Sequence, residues 1–252
     1  MYLWKYWLES RIAVVIGVLV LAGITAMSFN GHGGGIENPR AYAGVLYVLL
    51  FATAGVLALF AWAMGSFGMG RSLGEGAGAF LLTRPRSRSW FVWRDWGAGL
   101  ALVALFVALT NVLEGWDLYR GLQAGGAPAG QMLLHDSPEY ASLVHSLSLN
   151  AISIFLFCGI IFGMIYLATI ALKNALGIIV GAGVLAGYVV LGALLDHYTG
   201  HQLPDLLQRV FLSPQGGTGG LVDHLSASLA IRAGILFLFP VAAQLILERS
   251  DI

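Results

Sequence analysis

The residues best suited to chemistry in this chain sit in two short stretches. "DHYTGH" places Asp196, His197 and His201 together, and two histidines four apart can share a metal ion from one helix face. "HDSPE" adds His135, Asp136 and Glu139, which makes a composite metal site the first chemistry to weigh. Gly200 inside the pair and Pro204 just after it oppose a firm helix, and no H-E-x-x-H accompanies them. Serine hydrolysis is served no better, because there is no G-x-S-x-G. Ser146, Ser148, Asn150 and Ser153 are better suited to bonding one apolar helix to another. The two lysines, Lys5 and Lys173, lie in no G-x-x-x-x-G-K-[ST], so the chain has no phosphate-cradling loop of its own. The single cysteine, Cys158, has no partner for an internal disulfide and reads as a small core residue.

The elements that must position these residues are apolar. The chain has 252 residues, 58% of them hydrophobic and 10% charged, well below the charged fraction of a soluble domain. Residues 12–29, 41–70, 97–113, 140–172 and 174–195 contain no Asp, Glu, Lys or Arg, and residues 225–247 contain only Arg232. Crossing a bilayer takes roughly 20 mostly apolar residues. The runs therefore predict an all-α, polytopic membrane protein with six spans, at about 12–29, 43–65, 97–113, 143–170, 175–195 and 228–247. No clear cleavage site follows the first run, which reads as a retained span.

Basic residues orient the spans. With the N-terminus inside, the inner segments hold Lys5, Arg11, Arg71, Arg84, Arg86, Arg88, Arg94, Lys173 and Arg249, and the outer segments hold Arg40, Arg120 and Arg209. That bias favours both termini in the cytoplasm. Arg232 falls near the outer end of the sixth run, where its side chain is expected to snorkel outward. All six histidines fall in or near the outer segments. Segment 114–142, which mixes Gly, Pro and acids, reads as an outer connection. Net charge is zero, so bulk charge gives no argument for a nucleic-acid partner, and none is expected. Glycines such as Gly17, Gly65, Gly159, Gly163 and Gly181, and the run "GIIVGAGVLAGYVVLG", suggest close helix contacts. Few polar groups lie within the spans: Asn111, Asn150 and Gln244, none ionised, which speaks against an ion-coupled transporter or channel.

The largest inner segment, 66–96, carries the densest positive charge. In "EGAGAFLLTRPRSR" four of fourteen residues are charged. Leu73, Ala77, Phe80 and Leu81 repeat at helical spacing, predicting a short amphipathic helix over about Ser72–Leu82 that ends before Pro85. Arg84, Arg86 and Arg88 follow, then Trp90, Phe91, Trp93 and Trp96 around Arg94 and Asp95. Arginines and aromatics of this kind anchor a chain at a membrane boundary.

These residues carry a resemblance. Glu75 and Gly76, then Leu81, Leu82, Pro85, Ser87 and Arg88 in "LLTRPRSR", are similar to the connection between the second and third spans of ABC-2-type ATP-binding-cassette transporter permeases. The aromatic, charged "WKYWLESR" before the first span fits the same pattern. So does the cluster of Glu248, Arg249 and Asp251 in "LERSDI". Arg84 and Arg86 stand where the family often has apolar or small residues, and segment 114–142 is longer than in many members. The resemblance implies a single transmembrane permease domain over residues 1–252 in the cell inner (plasma) membrane. It implies a coupling helix between spans two and three, docked on a P-loop ATPase subunit through Ser72, Leu73, Glu75, Gly76, Phe80, Leu81, Leu82, Pro85, Arg86 and Arg88. It further implies a second permease copy or paralogue, with room for a periplasmic or extracellular partner. ATP and Mg would be bound by the ATPase, and this chain would hold no cofactor and catalyse nothing. An ion-coupled transporter or channel, and an intramembrane enzyme with a metal site at the outer face, remain the alternatives.

Overall fold

A computed structural model describes residues 11–12, 14–23, 53, 55–67, 87–124, 138–173, 179–181, 183, 186 and 222–249. Five helices are used below: α1 (Val14–Gly23), α2 (Gly55–Ser66), α3 (Arg88–Ala124), α4 (Pro138–Leu172) and α5 (Val222–Arg249). The described residues contain no strand.

The expectation of six spans is corrected. Among the described residues three helices are long and apolar enough to cross a membrane, through Arg88–Leu113, Ala151–Leu172 and Leu229–Arg249. At 1.5 Å per residue these stretches run ~30–40 Å, enough for a hydrocarbon core of about 30 Å. Of the expected spans 12–29 and 43–65, the described residues include the helical stretches α1 and α2, with 10 and 12 residues. Of the expected span 175–195 only residues 179–181, 183 and 186 are described, all helical. The expected coupling helix at 72–82 and both termini lie outside the described residues.

Local chemistry explains where the long helices begin and end. α3 starts nine residues before the expected boundary at 97, because Ser87 caps it. The Trp90 amide donates to the Ser87 hydroxyl at 3.4 Å and to its carbonyl at 3.1 Å, meeting the need of an N–H that has no partner in the first turn. α3 also continues past 113 to Ala124, and α4 begins at Pro138. Much of segment 114–142, expected as a connection, is therefore helix. Pro138 suits a first helical position, where its missing N–H costs nothing. α4 stops at Lys173, whose φ of 49° is left-handed and whose amide donates to the Ile170 carbonyl at 3.3 Å, as at many helix C-termini.

α3 runs antiparallel to α4 and α5, and α4 and α5 run parallel. The pairings that fix this are Tyr166 with Val92, Arg88 with Leu247, Trp93 with Gln244, and Arg232 with Ser153. The end of α4 and the start of α5 consequently lie at opposite ends of the bundle. Glycine permits the closest approaches. A Cβ on Gly163 would sit 2.3 Å from the Phe239 ring, and one on Gly159 3.0 Å from Leu236 and 3.3 Å from Leu100. α2 meets α4 at Gly65, where a Cβ would lie 2.6 Å from the Phe162 carbonyl oxygen. α1 enters through Gly17, beneath the stacked rings of Phe60 and Phe106, whose centroids are 4.0 Å apart. Gly181 packs on Ile165, whereas Gly23, Gly55, Gly97 and Gly183 face open space, so only some of the glycines mark contacts. Phe162, Tyr166 and Ile170 of α4 are fully buried, with Met64, Val92 and Leu247 from its neighbours.

Exposed side chains register the bundle against a bilayer. Ala101, Leu105, Ala108, Leu109 and Val112 form an outward apolar stripe on α3. Trp90 and the 38%-exposed Trp93 bound it at one end, and the 52%-exposed Trp116 bounds it at the other. Tryptophans favour the two membrane interfaces, and 23–26 residues of helix place these ~35–39 Å apart, just beyond the hydrocarbon core. Contacts of Gly159 set it level with Leu100 of α3 and Leu236 of α5.

Candidate functional site

Of the expected docking residues, Ser72, Leu73, Glu75, Gly76, Phe80, Leu81, Leu82, Pro85 and Arg86 lie outside the described residues. Arg88 is described. It is the first residue of α3 and half-buried, and its Nη1 donates to the Leu247 carbonyl oxygen at 2.7 Å. Leu247 is among the last four residues of α5, whose carbonyls have no acceptor role inside the helix. A cation there also meets the negative end of the helix dipole. One side chain thus joins the start of α3 to the end of α5.

Polar and aromatic groups surround that junction. Trp93 Nε1 donates to Gln244 Oε1 at 3.3 Å, and Gln244 Nε2 donates to Glu248 Oε1 at 2.8 Å. Arg94 lies over the Trp90 ring, 4.8 Å from its centroid. Trp93 and Trp96 meet edge to face at 5.9 Å, and Trp96 leans on Phe237 at 5.8 Å. Cation–π and edge-to-face contacts of this sort hold rings at fixed angles. This collar belongs at a membrane interface, in keeping with the anchoring role read from the sequence. Gln244 is part of it and is no mid-membrane group.

Asp95 and Arg232 were not anticipated as buried charges. Asp95, expected in an inner connection, sits in α3 at 2% exposure, within the apolar stretch Arg88–Leu113. Arg232 is 3% exposed. Its Nη1 donates to Ser153 Oγ at 2.9 Å, and Ser153 is itself buried. The expectation that Arg232 snorkels at an outer end is corrected. Its side chain is buried and points into the bundle, three residues inside the apolar stretch Leu229–Arg249. A charged side chain buried within a span marks function more often than architecture. The signal available in the sequence was a single charge in an otherwise uncharged run.

The other polar span residues do local work. Thr110 Oγ1 and Asn111 Nδ2 donate to the carbonyls of Phe106 and Val107, one turn back, at 2.8 and 2.9 Å, which satisfies these donors in an apolar setting, while Asn111 Oδ1 is buried without a hydrogen bond. The Tyr166 hydroxyl donates to the Val92 carbonyl at 3.2 Å across α4 and α3. The described residues contain no group of three or more His, Cys, Asp or Glu able to hold a metal. The side chains of all six histidines, and those of Asp136, Glu139, Asn150 and Asp196, lie outside them.

No protein-family model matches the chain, and neither a curated protein nor a solved structure does. The fold and these side chains establish a multi-span, helical membrane protein.

Proposed function

We propose that this chain is the membrane-spanning permease subunit of an ATP-driven transporter of ABC-2 type, acting in the inner membrane in export or force transmission. It catalyses no reaction itself. A separate P-loop ATPase binds ATP and Mg, and a second permease copy or paralogue completes the path. The observation that carries the reading is Arg88. It ends the "EGAGAFLLTRPRSR" stretch that resembles the family's coupling connection, and it grips α5 while beginning α3. Force applied to that stretch by an ATPase would reach two membrane helices through one residue. Such a force shifts the population of two packings of the bundle; it needs no chemistry in this chain.

Affinity purification in mild detergent tests the reading. A P-loop ATPase should co-purify with the chain. The E75A variant should lose it while the thermal unfolding of the bundle changes little, since a docking residue serves the partner and not the bundle. A chain that purifies alone, or an E75A variant that retains its ATPase, refutes the proposal.

Arg232 favours a second reading. Ion-coupled transporters and channels keep charged groups within their spans, facing the bundle interior, and the buried Arg232 is such a group. A purified chain that moves ions across vesicles with no ATPase present would establish that reading in place of the first.

A further inference from the structure

Two exposed cations end neighbouring helices at one level. α4 and α5 run side by side: Ser153 meets Arg232, Gly159 meets Leu236, and Gly163 meets Phe239. Ten residues beyond that last pair, on each helix, stand Lys173 and Arg249, ~15 Å further along both. Ile170 and Leu247, just inside them, belong to one buried core, so the helices are still packed there, with axes about 8–10 Å apart. Both Lys173 and Arg249 are exposed. The tryptophan collar gives their depth. Trp93 bonds Gln244, and Arg249 lies five residues outward of Gln244, ~8 Å. Tyr166 bonds the Val92 carbonyl, and Lys173 lies seven residues outward of Tyr166, ~10 Å. Tryptophans sit at the membrane–water boundary. The polar layer beyond the hydrocarbon is about 5–8 Å deep on each side, and long basic side chains reach several ångströms along a helix. Both charges therefore reach the layer of lipid phosphates.

Charge is sorted along the bundle to match. Arg88 and Arg94 of α3 lie at this same end. Its acids are Asp95, which is buried, and Glu248, which accepts from Gln244 on the side toward α3. At the opposite end α3, α4 and α5 carry Glu114, Asp117, Glu139 and Asp223 against Arg120. We propose that Lys173 and Arg249 together hold the headgroup of an anionic phospholipid of the surrounding leaflet. An ammonium and a guanidinium on adjacent helix ends can close on one phosphate from two sides, and exposed Val241 and Leu245 offer apolar surface to the acyl chains. Each cation also meets the negative end of its own helix dipole. Dipole compensation accounts for a cation on each helix; it does not call for both at one level and at phosphate depth. A zwitterionic headgroup brings its own cation and gains less from the pair, whereas an anionic leaflet attracts basic residues at its surface. The site holds a lipid whichever energy source drives the bundle.

The test uses the purified full chain in a neutral detergent, with no ATPase present, so that its failure is separate from a failure to find one. The probes are phosphatidylglycerol, phosphatidylcholine with the same acyl chains, and inorganic phosphate, followed by native mass spectrometry and by thermal unfolding. Wild type should retain phosphatidylglycerol in preference to phosphatidylcholine and gain Tm from it. K173N and R249Q each remove one charge, and asparagine accepts the left-handed backbone at 173, where φ is 49°. Each should hold phosphatidylglycerol about fivefold more weakly, and the double variant at least about tenfold. R120Q, which removes a cation from the opposite end, should bind as wild type does. If the double variant does not fold, the single variants and the choice of wild type between the two lipids decide. Equal retention of both lipids by wild type overturns the proposal, as does a double variant that binds like wild type or an R120Q protein weakened as much as the double variant. Inorganic phosphate raising Tm as far as phosphatidylglycerol does would overturn the lipid assignment.

Discussion

Replacing Arg88 by methionine isolates the junction between α3 and α5. Methionine keeps the apolar stem and removes the donors, so the 2.7 Å bond to the Leu247 carbonyl is lost with little change in packing. A hydrogen bond to a charged group contributes about 1.5–3 kcal/mol net. Arg88 is half-buried, and solvent screening brings the expected loss to the lower end, about 1–2 kcal/mol. For a chain of this size each kcal/mol moves Tm by roughly 2–4 °C, so R88M should unfold about 2–8 °C below wild type. The loss should be local. The last turn of α5 would have one carbonyl fewer restrained, and amide exchange should speed up over residues 244–249 and not in the middle of α4. R88K keeps a charge and a donor on a shorter reach and should fall between. Thermal unfolding in detergent and exchange mass spectrometry measure both effects. An R88M protein with unchanged Tm and unchanged exchange over 244–249 would show that the bond restrains nothing, and the mechanical part of the proposed function would go with it.

Three further outcomes follow from the packing. G65A should destabilise the bundle by about 1–3 kcal/mol, as overpacking does, because its Cβ would press on the Phe162 carbonyl at 2.6 Å; G97A, which meets nothing within 4 Å, should be neutral or slightly stabilising, and unfolding midpoints compare the two. Y166F should cost about 1 kcal/mol, the worth of the Tyr166–Val92 bond by the usual net value, read from the same melts. In a variant keeping Trp116 alone of the seven tryptophans, lipids brominated near the headgroup should quench fluorescence more than lipids brominated at the tail end, and the reverse order would remove Trp116 from the membrane interface.

The sequence made the apolar elements legible where hydropathy alone decides them. The expected spans at 143–170 and 228–247 coincide closely with the apolar parts of α4 and α5. α3 was placed correctly and cut short. Arg88, Arg94 and Asp95 read as a charged connection, yet Ser87 caps a helix that absorbs all three: Arg88 on a carbonyl, Arg94 on a ring, Asp95 by burial. The polar ends of α3 and α4 were missed for a related reason, since glycines and acids lower hydropathy without preventing a helix. Of runs 12–29 and 43–65, only the stretches in α1 and α2 can be set against the expectation. The burial of Arg232 was missed because a local pattern does not show which face of a helix its neighbours cover; the contact with Ser153 of α4 does. The docking stretch was legible only through its resemblance, and of its residues Arg88 alone falls where packing can be read.

Pro240 lies inside α5, between the residues that fasten its two halves. It has no amide to offer the carbonyl of Leu236, so the rod is weakest there. Above that joint, α5 is tied to α4 through Arg232; below it, to α3 through Leu247 and Gln244. A displacement of α3 can therefore swing the lower arm while the upper arm stays seated, which would let a stroke delivered at one membrane surface be metered before it reaches the contact of Arg232 with Ser153.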